Sequence, residues 1–285
     1  MLAASLLAEP DACAQPPMPA PQVGEQHEII RSYENSEHDS EGSTGSSRGT
    51  DAILERIVAS TESGIEVEYD LWLGATAEDR ARQWFFPARV LRQPDGAMRL
   101  LNRAELEARL ERWLATAEWT RAICGRWIFT WNGFLIECNP EAVIETIAAF
   151  DLRSVDLREG ALYRDSDARG PGMLRRIMDE SEGTRFVAAM DVDPDAVRRE
   201  RAEMDVALGE IMQTPVTLES ALRARATERV SGRIEVTIDT YPDGTPRRRT
   251  RVTRLEIIEV DGRRKNETRT VTVERRPVSG ATGRQ

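Results

Sequence analysis

Lysine is almost missing from this chain of 285 residues: Lys265 stands alone against 38 arginines, and there are only two histidines, His27 and His38. Histidine is the usual general base near neutral pH and the commonest metal ligand. With none after residue 38, the rest of the chain offers no Ser-His-Asp or Cys-His site and no zinc site with imidazole ligands. A Schiff-base or phosphate-loop lysine would have to be Lys265, which follows an Asp261-Gly262-Arg263-Arg264 turn. Neither G-x-x-x-x-G-K-[ST] nor G-x-G-x-x-G occurs, so no nucleotide cradle is expected. Long apolar runs are also lacking, which excludes a transmembrane helix. Two acid-rich stretches, Asp191–Asp195 and Asp165–Gly170, fail the calcium-loop pattern at their glycine or glutamate positions. No metal and no cofactor is expected, and an enzyme would be left with carboxylate, tyrosine or cysteine chemistry.

Cysteine is scarce too: Cys13, Cys124 and Cys138. Residues 1–14 hold a short apolar stretch, Leu2 to Ala8, and then Ala12-Cys13-Ala14, the small-x-small pattern of signal cleavage before Gln15. They read as a signal peptide whose charged start is truncated. A periplasmic or secreted location follows, or a cytoplasmic one if residues 1–14 are no signal. Export leaves Cys124 and Cys138, which an oxidising compartment can pair. A two-residue turn at Asn132-Gly133 would set Cys138 opposite Trp127, about 10 Å along the strand from Cys124. A disulfide then requires Gly125 to turn the chain back; the other reading is two buried thiols.

Residues 15–50 are acidic and rich in Pro, Ser and Gly, with few large apolar groups, and read as a disordered linker carrying both histidines. A folded body spans 51–230. It opens with a short helix using Ile53, Leu54, Ile57 and Val58, followed by a strictly alternating strand from Gly64 to Leu73. Asn102 with Glu105 forms a capping-box signature for a helix whose stripe is Leu106, Leu110, Trp113 and Leu114. Further helices are predicted at Met173–Met178, after Asp193-Pro194 with a buried stripe of Val197, Met204, Leu208 and Ile211, and from Thr217. A β-meander over 231–276 precedes a flexible tail at 277–285. The fold class is α+β: a disordered N-terminal arm, a mixed helix–sheet body and a C-terminal antiparallel meander that joins it.

Charge is segregated along the chain. Residues 221–285 carry a net +7 and the remainder −17. On the Gly64–Leu73 strand, Glu66, Glu68 and Asp70 share one face with Trp72, at a spacing suited to a glycosidase carboxylate pair. Arginines of the meander are the expected partners of such a stripe. The run Arg247, Arg248, Arg249 is a candidate anion site. Nucleic acid is disfavoured because Tyr241 is the single aromatic after residue 186. Trp127 and Trp131 belong to a tryptophan-dense segment that serves as core or as a ligand platform. The expected function is non-catalytic: a soluble bacterial cell-envelope protein that binds a protein or an anionic ligand. The alternative is a carboxylate-dependent, glycan-type hydrolase using Glu66, Glu68 or Asp70.

Overall fold

The computed structural model describes residues 21–129, 133–179 and 183–278; the signal-like segment and Trp131 lie outside them. In chain order its elements are β1 (Gln26–Asp39), β2 (Thr44–Thr61), β3 (Gly64–Leu71), α1 (Ala77–Arg82), β4 (Ala88–Arg92), β5 (Met98–Leu100), α2 (Arg103–Thr116), β6 (Trp127–Phe129), β7 (Gly133–Leu135), α3 (Val143–Ala148), β8 (Leu162–Tyr163), β9 (Gly172–Met173), β10 (Arg175–Asp179), β11 (Gly183–Asp191), α4 (Pro194–Ile211), α5 (Leu218–Arg225), β12 (Arg229–Thr240), β13 (Pro246–Ile258) and β14 (Arg264–Pro277). Ten strands form one antiparallel sheet in the order β10-β11-β12-β13-β14-β1-β2-β3-β4-β5. The mixed helix–sheet reading holds, with sheet dominant. The predicted meander is β12-β13-β14, continuous with the rest.

The largest departure from the sequence reading is at residues 15–50. From residue 26 onward this segment is no tether: β1 lies between β14 and β2, in register from His27↔Pro277 to Asp39↔Lys265 on one side and from Gln26↔Arg56 to His38↔Thr44 on the other. A composition rule counts apolar area, and β1 has little, Ile29 being its deeply buried hydrophobic. The strand is held by ladder hydrogen bonds on both edges and by cross-strand pairs such as Arg31–Asp51 and Lys265–Glu37. Likewise Ile53 and Ile57 belong to the continuous strand β2, not to a helix; both point inward with Glu55 between them. Met173 to Met178 form β9 and β10 instead of a helix, since Arg175–Asp179 pairs with β11.

The inward face carries two apolar clusters. One joins Ile29, Ile53, Ile57, Val67, Val90 and Leu100 to the α2 leucines 106, 110 and 114. The other joins Phe186, Met190, Ile234, Ile238, Leu255 and Ile257 to Val197 of α4. Helix α2 begins where its signature placed it, but the Asn102 side chain makes no cap. Its Oδ1 accepts from the Arg89 backbone N–H at 2.9 Å, so the asparagine ties the helix start to β4. Beyond Val197 the predicted stripe of α4 is not buried: Met204 and Leu208 are more than half exposed. The buried side of the helix there is formed by Ala202, Ala207 and Gly209, and Arg201 ties its middle to Glu259 at 2.8 Å.

Cys124 and Cys138 lie at disulfide distance, with Cα atoms 5.5 Å apart. Pairing of Trp127 with Leu135 and of Phe129 with Gly133 sets the hairpin three residues away from the two-residue Asn-Gly register. That shift brings residue 124 opposite residue 138. Gly125, at φ +75°, keeps the ladder going: its N–H donates to Ile136 O, and Ile136 N–H to Arg126 O. A bond between cysteines 14 residues apart removes about 3 kcal/mol of loop entropy from the unfolded chain. Urea unfolding with and without a phosphine reductant should differ by that amount; identical midpoints would mean that the thiols are free.

Candidate functional site

The predicted carboxylates come first. Glu66, Glu68 and Asp70 share the outward face of β3, and each meets its own arginine: Arg89 Nε at 2.9 Å from Glu66, Arg56 at 2.6 Å from Glu68, and Arg80 at 2.8 Å from Asp70. These partners come from β4, β2 and α1, not from the meander, whose nearest strand, β14, is three strands from β3. Trp72 is half-buried against the first apolar cluster. Because the pairs are half-exposed, alanine at any one of the three acids should cost no more than about 1 kcal/mol. Thermal melts check this; a loss of several kcal/mol would show that the stripe is not a solvated face.

The run Arg247-Arg248-Arg249 does not converge on one site, because neighbouring strand residues point to opposite faces. Arg247 stacks over the Tyr241 ring at 6.0 Å, and Arg248 lies 3.9 Å from Glu274 on the outward side. Trp127 is half-buried on β6.

The structure instead gathers charge at inward positions that the alternation reserves for apolar residues. Glu55 sits between Ile53 and Ile57, Arg92 two residues after Val90, Arg275 two after Val273, and His27 two before Ile29. All four are nearly inaccessible. Glu55 accepts from Arg153 at 2.9 Å and from Arg275 at 2.8 Å. Arg92 donates to the Tyr69 hydroxyl at 3.0 Å, to Asp151 at 2.6 Å and to Ser154 at 3.1 Å. Asp151, Arg153 and Ser154 follow α3, so this network pins the segment after that helix to the sheet.

Burial alone would raise the Glu55 carboxyl, but the two guanidiniums outweigh it and hold its pKa at about 2. Burial, then Arg275, bring the His27 imidazole down to about 4, so it is neutral at pH 7. Its tautomer follows from its neighbours. A guanidinium only donates, so Nδ1 accepts from Arg275 at 2.8 Å and the Nε2 proton faces Glu25 at 3.2 Å. Burial, then the Glu55 charge, push the Tyr69 hydroxyl well above its ordinary range, so it stays protonated.

Above this network lies a cavity of about 380 Å³ bounded by Arg92, Arg153 and Arg275, with Ile65, Pro94 and Pro246 among its apolar walls. Thr245 precedes β13 and Ile65 is on β3; on a flat sheet they would stand about 19 Å apart, four strand spacings. Lining one cavity requires the sheet to curl around it. Gly64 is needed at this wall: at φ +136° a side chain there would run into the Arg92 carbonyl. A second hollow, of about 490 Å³, lies between α4 and strands β14 and β1. Its cations are all engaged: Lys265 with Glu37, Arg269 with Glu200 and Glu267, Arg201 with Glu228 and Glu259, and Arg31 with Asp51.

No family model and no curated protein sequence matches the chain. A solved structure described as lipid–protein interactions in lipovitellin aligns with 93% of this chain at 8% identity and a TM-score of 0.45. The match takes in 26% of that chain, so this protein spans about a quarter of its length, and at this score the likeness carries no functional argument. The dehydratase domain of RzxB from Pseudomonas fluorescens aligns over 90% of this chain and 78% of that one, at 10% identity and a TM-score of 0.10. Among the described residues no group of three or more His, Cys, Asp or Glu side chains is placed to hold a metal, and no helix is long and apolar enough to cross a membrane.

Sequence reasoning missed Glu55, Arg92, Arg153, Arg275 and His27 as a unit. The signal was present for four of them: a charged or polar residue interrupting a β-alternation at an inward position.

Proposed function

We propose that this protein binds a small organic molecule, without catalysis, in the cavity enclosed by the curled end of its sheet, and that it works outside the cytoplasm. The observation that carries the binding reading is the cavity itself. At about 380 Å³ it falls in the size range of small-molecule sites, and it combines apolar walls with a few convergent polar groups. Its polar lining is held in place by the buried network beneath, which supplies the preorganisation that binding requires. The cysteine pair supports the extracytoplasmic part of the reading, because such pairs persist where thiols are not kept reduced.

A hydrolase reading draws no comparable support. Glu66, Glu68 and Asp70 face outward and each is neutralised by an arginine.

An eight-carbon series tests the binding reading: octanoate, octyl phosphate, octanol and octylamine, each titrated calorimetrically into the full chain. At least one member should bind one-to-one and lose that binding in Ile65→Trp, which fills the cavity while leaving the buried charges in place. Binding that survives Ile65→Trp, or no binding by any member, would contradict the assignment.

A further inference from the structure

The charge balance of this cavity points to a narrower class of ligand. Among the described residues that line it, three are arginines and none is acidic. Beneath them, the buried carboxylates are Glu55 and Asp151, against Arg92, Arg153 and Arg275. His27 is neutral, and Tyr69 is protonated. Glu25, one-third exposed and not part of the cavity lining, stands 3.7 Å from Arg275 as a further counter-charge. The second hollow makes the contrast: Glu34, Glu37, Glu200 and Glu267 line it beside its cations.

Arg153 is the member with donors to spare. An arginine has five N–H groups in a fixed fork. Arg153 Nη2 donates to Glu55, whereas its Nε is buried with no hydrogen-bond partner among the described residues. A buried donor left unmade costs about 1–3 kcal/mol. Arg153 also lines the cavity with its side chain about one-fifth exposed, so the remaining N–H groups of its fork can give an oxyanion there a charge-assisted bond. Arg92 and Arg275 are locked by their own partners and contribute field rather than new bonds. Beside the guanidiniums, with Ile65 in register with Arg92, the lining residues Ile65, Pro94 and Pro246 offer a surface with no hydrogen-bonding side chain.

We infer that the cavity takes an organic oxyanion, a carboxylate or phosphate monoester on a short apolar body, with its head group on Arg153 and its body against Ile65, Pro94 and Pro246. This rests on the binding reading above and adds the chemical class. A guanidinium fork suits either head group, since both present paired oxygens in the right geometry.

The same eight-carbon series separates this inference from the reading it rests on. Octanoate or octyl phosphate should bind at least about tenfold tighter than octanol and octylamine, a gap of about 1.4 kcal/mol. Whichever of the two anions binds tighter identifies the head group. Arg153→Met should abolish that preference and leave octanol unchanged. Thr245→Asp sets a carboxylate at the cavity wall without touching the buried network, so it serves if Arg153→Met fails to fold; it should weaken the anions about tenfold and spare octanol. Octanol or octylamine binding as tightly as the anions would overturn the oxyanion assignment and leave a binding cavity. No binding by any member would overturn both.

Discussion

Replacing Glu55 with glutamine should lower the unfolding free energy by about 3–5 kcal/mol, the range found when one partner of a buried ion pair is removed. Glu55 is the shared acceptor of Arg153 and Arg275 and is almost wholly inaccessible. The amide keeps its volume but cannot neutralise two guanidiniums, so both remain buried without their counter-charge. For a chain of this size the loss corresponds to a fall in melting temperature of about 10 °C. The double variant Glu55→Gln/Arg275→Met should recover part of that loss, because one stranded cation goes with it. Melting temperatures within a degree or two of the parent for Glu55→Gln would mean that water screens the pair and that the network is not a buried one.

The second large effect is on the acid side of the stability profile. The folded His27 has a pKa of about 4 against an ordinary 6.5. Between those values the unfolded chain binds a proton that the folded chain refuses, so stability rises with pH across this window. Acidification from pH 6.5 to pH 4 should therefore remove about 3 kcal/mol through this one residue. Glu55 acts in the same direction lower down. Its carboxyl is held near 2 against 4.5, so its contribution is complete above pH 4.5 and is lost as pH falls towards 2. His27→Gln should flatten the upper window and leave the lower one. Urea midpoints every half unit from pH 7 to pH 3 would show it; an unchanged slope between 6.5 and 4.5 would place the imidazole in solvent.

Local periodicity made some elements legible. The alternation of Ile65, Val67, Tyr69 and Leu71 gave β3; the Leu106, Leu110 and Leu114 spacing gave α2; the Asp193-Pro194 start gave α4; and the alternating runs gave β12 to β14. What escaped was decided by partners far away in sequence. β1 is polar along its outer half and becomes a strand because β14, more than two hundred residues later, pairs with its whole length. Met173, Leu174, Ile177 and Met178 satisfy a helical stripe as well as a strand, and β11 settles the choice. The site was hidden by the same logic. Arg275 and Glu55 are 220 residues apart, and each looks like an ordinary surface charge until the inward register of its strand is known. His27, grouped with a polar tail by composition, is a buried member of the core.

The scarcity of lysine and histidine also changes meaning. The exclusion of histidine chemistry rested on both imidazoles lying outside the fold, and His27 is inside it. His27 nevertheless stands between Arg275 and Glu25 as a neutral hydrogen-bonding link. The arginine bias, in turn, supplies the three guanidiniums that shape the cavity.

The central claim is that ligand enters between Arg92, Arg153 and Arg275, and nitrogen-resolved NMR of arginine Nε–H groups reads this most directly. On titration with octanoate or octyl phosphate, the Arg153 signal should move first and saturate at one equivalent, with smaller movements at Arg92 and Arg275. Signals of Arg247, Arg248 and Arg249 should stay in place. A still Arg153, or saturating shifts confined to the 247–249 run, would contradict the account and return the site to the meander surface.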